Sequence, residues 1–319
     1  MKCCCVIGGT GFIGSFVVKA LLAEGRKVIV IGRNEMPTRP LSPTVEYFPG
    51  DFGDKYFLRG VLSNVDEIID LAYASVPKTS YDNPVQDIFD NLPPVVSLLE
   101  VASQANISKI VMVSSGGVIY GHTDTLSIDE THPTNPISPY GITKLAVENY
   151  ARMFHTTRDL PVVCVRPSNA YGETQKPFVG QGFIATAIAS ILAEQEITLF
   201  GQSGTIRDYI HVSDIASGIV AALESGSPGE VYNIGTGVGM SNRDILDAIQ
   251  PLAVADGFNV KIHTLSRRKF DVRSNILDSS RLRKSSGWSD RIIFSEGIKR
   301  TWDWFKKTGS YRNQGRIEL

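Results

Sequence analysis

A tyrosine and a lysine four residues apart, Tyr140 and Lys144, are the side chains of this sequence best suited to proton transfer. A phenol is a poor base at neutral pH because its proton leaves near pH ~10, so a nearby cation is needed to favour the phenolate. Side chains at this spacing share one face of a helix, which would bring the ammonium close to the phenol. An ordinary Tyr/Lys pair on a surface helix has the same spacing, so the interpretation depends on the rest of the chain.

A glycine-rich turn near the start of the chain could hold a dinucleotide beside that pair. Gly8, Gly11 and Gly14 fit three needs: a tight turn, close approach of the backbone to a pyrophosphate, and close packing of a helix on a strand. The N-terminus of the next helix favours the anion. Glycine also serves plain turns, but a position between the first predicted strand and the first predicted helix indicates dinucleotide binding.

The residues after the second and third predicted strands bear on which nicotinamide cofactor fits. A carboxylate after the second strand would accept hydrogen bonds from the adenosine ribose, and here the chain reads Gly32-Arg33 instead. A guanidinium there can meet a 2′-phosphate, so we expect NAD or NADP with a slight preference for NADP, unless Arg33 is a solvated loop residue. Asp51, after the third strand, could bind the adenine amino group or cap the next helix.

The elements that must position these residues alternate along the first half of the chain. Strand-like runs occur at residues 2–7, 27–31, 45–48, 67–72, 109–114 and 162–165, and helical periodicity at residues 85–105 and 140–154. This predicts a Rossmann-like, doubly wound parallel sheet. We expect a dinucleotide-binding domain over residues 1–167 and a smaller α/β substrate-binding lobe over residues 168–319, with part of residues 205–237 returning to the first domain.

Composition narrows the classes of partner. The 319 residues carry 32 Lys and Arg against 33 Asp and Glu. The chain therefore has no overall excess of positive charge that would attract nucleic acid or an anionic membrane. No apolar run approaches the ~18 residues that span a bilayer, and a cytoplasmic location is predicted. The adjacent Cys3, Cys4 and Cys5 fit neither a disulfide framework nor a zinc site, so we expect buried thiols and no metal.

Several motifs in order resemble the extended short-chain dehydrogenase/reductases, in particular the NAD-dependent epimerase/dehydratase family of nucleotide-sugar enzymes, which includes UDP-galactose 4-epimerase. The resemblance covers nearly the whole chain. It is carried by residues 8–14, 50–51, 71–72, Asn91 with 98–100, 114–121, 138–144, 166–172 and 204–212.

This resemblance implies a role for each matching residue. Ser115, Tyr140 and Lys144 would be catalytic: Tyr140 would exchange a proton with the sugar C4 hydroxyl, Ser115 would bind the same oxygen, and Lys144 would bind the nicotinamide ribose and lower the pKa of Tyr140. With Arg33, the cofactor-binding residues would be Gly8, Gly11, Phe12, Ile13, Gly14, Asp51, Phe52, Leu71, Ala72, Asn91, Tyr140, Lys144 and Pro167. The nucleotide-diphosphate sugar would be bound by Ser115, Tyr140, Asn169, Arg207, Arg268 and Asn275.

Departures from the family pattern narrow the reaction. Gly116 stands where many relatives have the catalytic Ser or Thr. Ser115 keeps the usual distance to the catalytic tyrosine and is therefore assigned that role, the alternative being that Ser114 and Ser115 simply end a strand. Related 4,6-dehydratases carry Asp-Glu just after the catalytic Thr, whereas this chain continues Gly116-Gly117-Val118, and the cysteine of 3,5-epimerases is missing from this turn. What remains is 4-epimerisation or simple reduction of a 4-keto sugar, and the leading hypothesis is a UDP-sugar 4-epimerase for glucose and galactose or their N-acetylated forms.

Two other functions stay open. The main alternative is an NADPH-dependent 4-ketoreductase of a 4-keto-6-deoxy nucleotide sugar, which Gly32-Arg33 favours. A noncatalytic dinucleotide sensor is disfavoured by the intact catalytic residues. The small Asn275 stands where a bulky tyrosine disfavours N-acetylated sugars in some relatives, so an acetamido group could fit. The resemblance also implies a homodimer formed through the long helices.

Overall fold

Apolar runs near the start of the chain form the strands of one large parallel sheet in the computed structural model, which describes residues 1–266 and 272–311. Its strands are β1 (Cys3–Ile7), β2 (Lys27–Gly32), β3 (Glu46–Pro49), β4 (Glu67–Asp70), β5 (Lys109–Val113), β6 (Val162–Pro167) and, later in the chain, β10 (Val231–Ile234). The spatial order is β3-β2-β1-β4-β5-β6-β10, so the chain changes direction across the sheet between β1 and β4. The predicted doubly wound fold is confirmed, and such a change of direction creates a ligand crevice at the carboxyl ends of the strands.

The helices lie between the strands and after them. They are α1 (Phe12–Ala23), α2 (Lys55–Leu62), α3 (Pro77–Asp82), α4 (Pro84–Ala102), α5 (Gly116–Ile119), α6 (Pro139–Arg158), α7 (Phe183–Leu192), α8 (Val212–Ser225), α9 (Asn242–Ala255), α10 (Ser280–Ser286) and α11 (Phe294–Thr308). Helix α6 begins sharply because the side chain of Ser138 accepts a hydrogen bond from the backbone N–H of Gly141 and Pro139 occupies the first turn. It ends at Asp159, which has a left-handed backbone.

Both faces of the main sheet are buried, and the three cysteines of β1 contact the cores on both faces. Cys3 and Cys5 lie in the core that α4 and α6 cover, whereas Cys4 faces the opposite core, which α1 and α8 cover. The cysteines are free thiols, and burial raises the pKa of Cys4 and Cys5 above the ordinary value. The alternation of a strand therefore separates three neighbouring thiols, as the sequence predicted.

The remaining strands build smaller sheets. They are β7 (Asn169–Tyr171), β8 (Ile197–Phe200), β9 (Ile206–His211), β11 (Gly239–Ser241), β12 (Ile262–Leu265) and β13 (Ser274–Asn275). Strand β9 pairs with β7, β11 and β13, while α7, α9 and α11 enclose a separate core. By contrast, α8 packs against α1, and β10 pairs with β6 of the main sheet. The division into domains at residue 167 stays a prediction.

The register of the main sheet brings several chain segments to one edge. Ile7, the last residue of β1, pairs with Ile31 on one side and with Asp70 on the other, and Asp70 pairs with Met112. The residues that follow these positions therefore meet at the carboxyl edge. Over residues 1–266 and 272–311, none of the helices is both long enough and apolar enough to cross a membrane.

Candidate active site

The glycine loop leaves β1 and enters α1 in a conformation that larger residues could not adopt. Gly8 has φ +78°, and a Cβ on Gly14 would collide with the carbonyl oxygen of Gly8. Because the N-cap residue Gly11 has no side chain to occupy the start of α1, the first N–H groups of that helix, at Phe12 and Ile13, are suited to an anion. This cradle fits the pyrophosphate of a dinucleotide.

Two further predicted cofactor segments lie against this loop. A Cβ on Gly8 would be 3.1 Å from the backbone nitrogen of Ala72, so the residues after β4, Leu71 and Ala72, border the loop directly. Asn91 of α4 holds the same segment, because its side-chain oxygen accepts a 2.7 Å hydrogen bond from the N–H of Ala74. These contacts give Asn91 a structural reason to be an asparagine.

Asp51, Phe52 and Pro167, which were also predicted to bind the cofactor, lie near the carboxyl edge of the main sheet. Asp51 accepts a 2.8 Å hydrogen bond from the N–H of Gly53, whereas Asp54 caps α2. The alternative prediction that Asp51 caps the helix is therefore wrong. Phe52 is buried in the core, and Pro167 is the last residue of β6.

The three predicted catalytic residues meet at the carboxyl edge. Ser115 immediately precedes α5, Tyr140 lies in the first turn of α6, and the two side chains are hydrogen-bonded. One turn further along α6, Nζ of Lys144 lies 6.0 Å from the centre of the Tyr140 ring and donates a 2.8 Å hydrogen bond to the carbonyl oxygen of Val113. The arrangement places a phenol, a hydroxyl and an ammonium side by side.

Burial has the largest effect on the pKa values of Tyr140 and Lys144. It raises the pKa of Tyr140 to about 12, and the hydrogen bond with Ser115 opposes that rise. It lowers the pKa of Lys144 to about 8, against the attraction of nearby carboxylates. The hydrogen bond from Ser115 lowers the pKa of Tyr140 in this arrangement. The lowering of that pKa by Lys144 stays a prediction.

Three buried acids surround the ammonium, and sequence reasoning missed all of them. Asp70 ends β4, Asp87 lies on α4 and Glu148 lies one turn beyond Lys144 on α6, and each favours the charged lysine. Burial raises the pKa of Asp70 to about 6. The position of Asp70 at the carboxyl end of a central strand was the one available signal.

A buried network fixes α6 relative to the sheet. Arg166 of β6 donates to both carboxylate oxygens of Glu148, at 3.0 and 2.6 Å, and to the hydroxyl of Tyr120 at 2.9 Å. Tyr120 in turn donates to the side-chain oxygen of Asn233 on β10 at 2.8 Å. Bidentate arginine contacts have a fixed geometry, so this network sets the height of α6, and with it Lys144, above the sheet.

The structure explains why Ser115 is followed by glycine. A Cβ on Gly116 would collide with the side chain of Leu277 and would lie 3.0 Å from the carbonyl oxygen of Arg166. No side chain fits at residue 116 without movement of Leu277. That Ser115 takes the part of the hydroxyl that relatives carry at this position stays a prediction. Asn169 borders this segment, since a Cβ on Gly117 would be 3.2 Å from its side-chain oxygen.

The predicted substrate residues are only partly brought together. Asn275, which is buried, donates a hydrogen bond to the carbonyl oxygen of Gly116, so it reaches the catalytic segment. Its strand partner in register is Arg207, whose side chain donates a 2.7 Å hydrogen bond to the carbonyl oxygen of Ile206. Arg268 lies outside the described residues.

Two arginines near the glycine loop differ in their contacts. Arg33, which the sequence singled out, is exposed and, within the described ranges, has neither a hydrogen bond nor an ion pair. Arg39 is half-buried and donates 2.8 Å hydrogen bonds to the carbonyl oxygens of Thr10, in the loop, and of Thr174, beyond β7. Burial lowers the pKa of Arg39. No sequence signal distinguished it from other loop arginines.

Comparisons with known proteins identify one family. The profile of the NAD dependent epimerase/dehydratase family matches residues 4–235. A UDP-glucose 4-epimerase of Mycolicibacterium smegmatis is 34% identical over 94% of this chain and 97% of its own length. A dTDP-glucose 4,6-dehydratase of an Actinoplanes species is 29% identical over 96% of this chain and 98% of its own.

A solved structure extends the likeness to the fold. The Thermus thermophilus UDP-glucose 4-epimerase in complex with NAD superimposes with a TM-score of 0.88 at 32% identity, covering 96% of this chain and all of that one (100%). The chain therefore belongs to the NAD dependent epimerase/dehydratase family, whose enzymes act on nucleotide sugars with a nicotinamide dinucleotide.

Proposed function

We propose that this protein is a nucleotide-sugar 4-epimerase that acts on UDP-glucose and UDP-galactose or on their N-acetylated forms. The observation that carries the proposal is the meeting of Ser115, Tyr140 and Lys144 at the edge where the glycine loop lies. The 4-epimerases among the relatives, at 34% and 32% identity, support the UDP-sugar as substrate.

Each side chain has a defined part in this proposal. Tyr140 takes the proton of the C4 hydroxyl and later returns it, while Ser115 holds the same oxygen and keeps the phenol in its hydrogen bond. Lys144 is held by the carbonyl of Val113 close to the phenol and supplies positive charge. When bound, the nicotinamide ring supplies the hydride chemistry that no side chain provides.

Asn169, Arg207 and Arg268 are the proposed contacts to the sugar and the diphosphate. A guanidinium suits bidentate binding of phosphate, and β9, which carries Arg207, pairs with β7, which carries Asn169. The small Asn275 between Arg207 and the catalytic segment supports room for an acetamido group.

Elimination of water from the sugar is disfavoured even though a dehydratase is among the relatives. The residues after Ser115 are Gly116 and Gly117, neither of which can donate or accept a proton through a side chain. Because a side chain at residue 116 would collide with Leu277, the missing acid could not simply be restored there.

The competing proposal is reduction of a 4-keto-6-deoxy nucleotide sugar by NADPH. Its specific support is the exposed Arg33, together with the absence of an acid at the end of β2. A reductase must exchange its cofactor at each turnover, whereas an epimerase recycles a bound one.

One experiment separates the candidates. Purified protein is incubated with UDP-galactose or UDP-N-acetylgalactosamine without added cofactor, and the C4 configuration is followed by NMR. Conversion that is lost in Tyr140→Phe but kept in Tyr150→Phe, a change at a partly exposed tyrosine of the same helix, supports the epimerase. Untouched sugars together with NADPH oxidation by a 4-keto-6-deoxy nucleotide sugar would establish the reductase. Binding of cofactor with neither reaction would point to a sensor.

We also propose a homodimer formed through α4 and α6. The outer faces of these neighbouring helices expose large apolar side chains, which are 61% exposed at Val85, 64% at Phe89, 56% at Ile142 and 40% at Met153. Burying such a face against a second copy would remove it from water. Light scattering should give twice the chain mass for the wild type and the monomer mass for a Phe89→Asp/Ile142→Asp variant; a monomeric wild type would refute the proposal.

A further inference from the structure

A second tyrosine, Tyr73, lies between the two members of the catalytic pair. It follows β4 by three residues, and its ring meets that of Tyr140 edge-on, with the centroids 4.7 Å apart and the planes at 69°. Its hydroxyl lies 3.4 Å from the carbonyl oxygen of Tyr140 and donates toward it. Tyr73 therefore contacts the first turn of α6 through both its ring and its hydroxyl.

The face of the same ring is turned toward the lysine. Nζ of Lys144 lies 4.1 Å from the centre of the Tyr73 ring, against 6.0 Å from that of Tyr140. An ammonium within about 6 Å of a ring face is attracted by it, most strongly where water is excluded, and Lys144 is buried. One of the three N–H donors of Lys144 binds the carbonyl oxygen of Val113. The carbonyl and the ring therefore fix the ammonium from two sides.

Charged and polar groups hold Tyr73 in turn. Its hydroxyl interacts with Thr143 and Asp87, and Thr143 donates a 2.7 Å hydrogen bond to the Asp87 carboxylate. Burial, with the nearby Asp87, raises the pKa of Tyr73, and its hydroxyl is directed at the main-chain carbonyl of Tyr140, whereas Ser115 engages the Tyr140 hydroxyl. The contribution of Tyr73 must come from its shape and its ring face.

We propose that Tyr73 is a positioning residue that holds the Lys144 ammonium beside Tyr140 through the face of its ring. The groups that face the lysine from the surrounding elements are Asp70 on β4, Asp87 on α4, and Glu148 and Tyr140 on α6. The carboxylates attract the ammonium from several directions, and the ring favours the one location above its face. The catalytic consequence rests on the proposed function; the placement of the lysine does not.

The test compares variants that keep or remove the ring. Tyr73→Phe keeps the face and loses the hydroxyl, whereas Tyr73→Leu removes the face. The pKa of Lys144 is measured in cofactor-free protein by NMR of labelled lysine Cε, with the signal assigned through Lys144→Met. We expect Tyr73→Phe to match the wild type and Tyr73→Leu to lower the Lys144 pKa by about one unit, since the charged form loses its ring contact.

The kinetic arm uses the same variants. Tyr73→Leu should lower kcat about tenfold and move the pH profile of kcat, and Tyr73→Phe should restore both. Tyr73→Met, which also lacks a ring, replaces the leucine variant if thermal melting shows that variant to be unfolded. Equal Lys144 pKa values in the ring-containing and ringless proteins would overturn the inference, even if the enzyme proves to be an epimerase. A shifted pKa without turnover of UDP-sugars would instead refute only the proposed function.

Discussion

The side-chain amide of Asn275 donates a 3.0 Å hydrogen bond to the main-chain carbonyl of Gly116, which lies 159 residues earlier in the chain. The strand that carries Asn275 pairs with β9, and Gly116 follows Ser115, the proposed catalytic serine. This one bond therefore joins the strands proposed to bind the substrate to the segment that presents the proposed catalytic hydroxyl.

Replacing Asn275 with leucine should uncouple these two parts. The change leaves a buried carbonyl unpaired, which we expect to lower the free energy of unfolding by about 1–3 kcal/mol in urea denaturation. If Ser115 moves with the carbonyl, kcat for sugar epimerisation should fall about tenfold or more. Asn106→Leu, a change at an exposed position, is the control for added apolar surface. An unchanged kcat with lowered stability would show that the bond does not position Ser115.

Gly116 and Leu277 should behave as a coupled pair. Gly116→Ser forces a side chain against Leu277 and should destabilise the protein by about 1–3 kcal/mol. Leu277→Ala alone should cost about 2–5 kcal/mol because it leaves a cavity. The double variant should be more stable than the sum of the two losses predicts, because the smaller alanine makes room for the serine. Additive losses in a double-mutant cycle would contradict the predicted collision.

The buried Asp70 should make stability depend on pH. Burial raises its pKa to about 6 from the ordinary aspartate value, so between about pH 4 and 6 the folded chain binds a proton that the unfolded chain releases. The stability contributed by the protonated form is complete below that window and is lost as the pH rises through 6. The free energy of unfolding of the wild type, minus that of Asp70→Asn, should therefore fall by roughly 2–3 kcal/mol as the pH rises across this window in denaturation experiments. Asp82→Asn, at an exposed position, should show no such difference.

The two arginines near the adenosine end should have different effects on cofactor binding. Arg33→Ala should weaken NADP more than NAD by calorimetry, since a free guanidinium would meet only the extra phosphate. Arg39→Ala should weaken both cofactors about equally, because it removes the bonds that tie the glycine loop to Thr174. Arg59→Ala, at an exposed arginine remote from the loop, is the control. Equal losses of NAD and NADP in Arg33→Ala would refute the assigned role.

The doubly wound parallel sheet could be predicted, and Ser115, Tyr140 and Lys144 could be singled out, because these features leave local patterns. The run from Cys3 to Ile7 and the spacing of Tyr140 and Lys144 can each be recognised within a few residues, and the structure differs from these predictions mainly at the ends of elements. The sheet then had to bring the glycine loop and Ser115 to one edge, because parallel strands align their carboxyl ends.

What could not be predicted depends on contacts between distant segments. The collision of residue 116 with Leu277, the position of Tyr73 over Lys144 and the bonds of Arg39 each join residues far apart in sequence. A loop arginine or a tyrosine after a strand carries no local mark of such a partner. The raised pKa of Tyr140 likewise follows from the desolvation of its phenol by the surrounding fold, which spacing along the helix does not reveal.

The buried thiols of β1 make the chain suitable for site-specific labelling. All four cysteines, Cys3, Cys4, Cys5 and Cys164, are buried, and burial raises the pKa of each, so little thiolate is available to maleimides or aromatic disulfides. A single cysteine introduced on the surface would accept a fluorophore without removal of the native ones. Conversely, the appearance of four reactive thiols would report unfolding of the central sheet in real time.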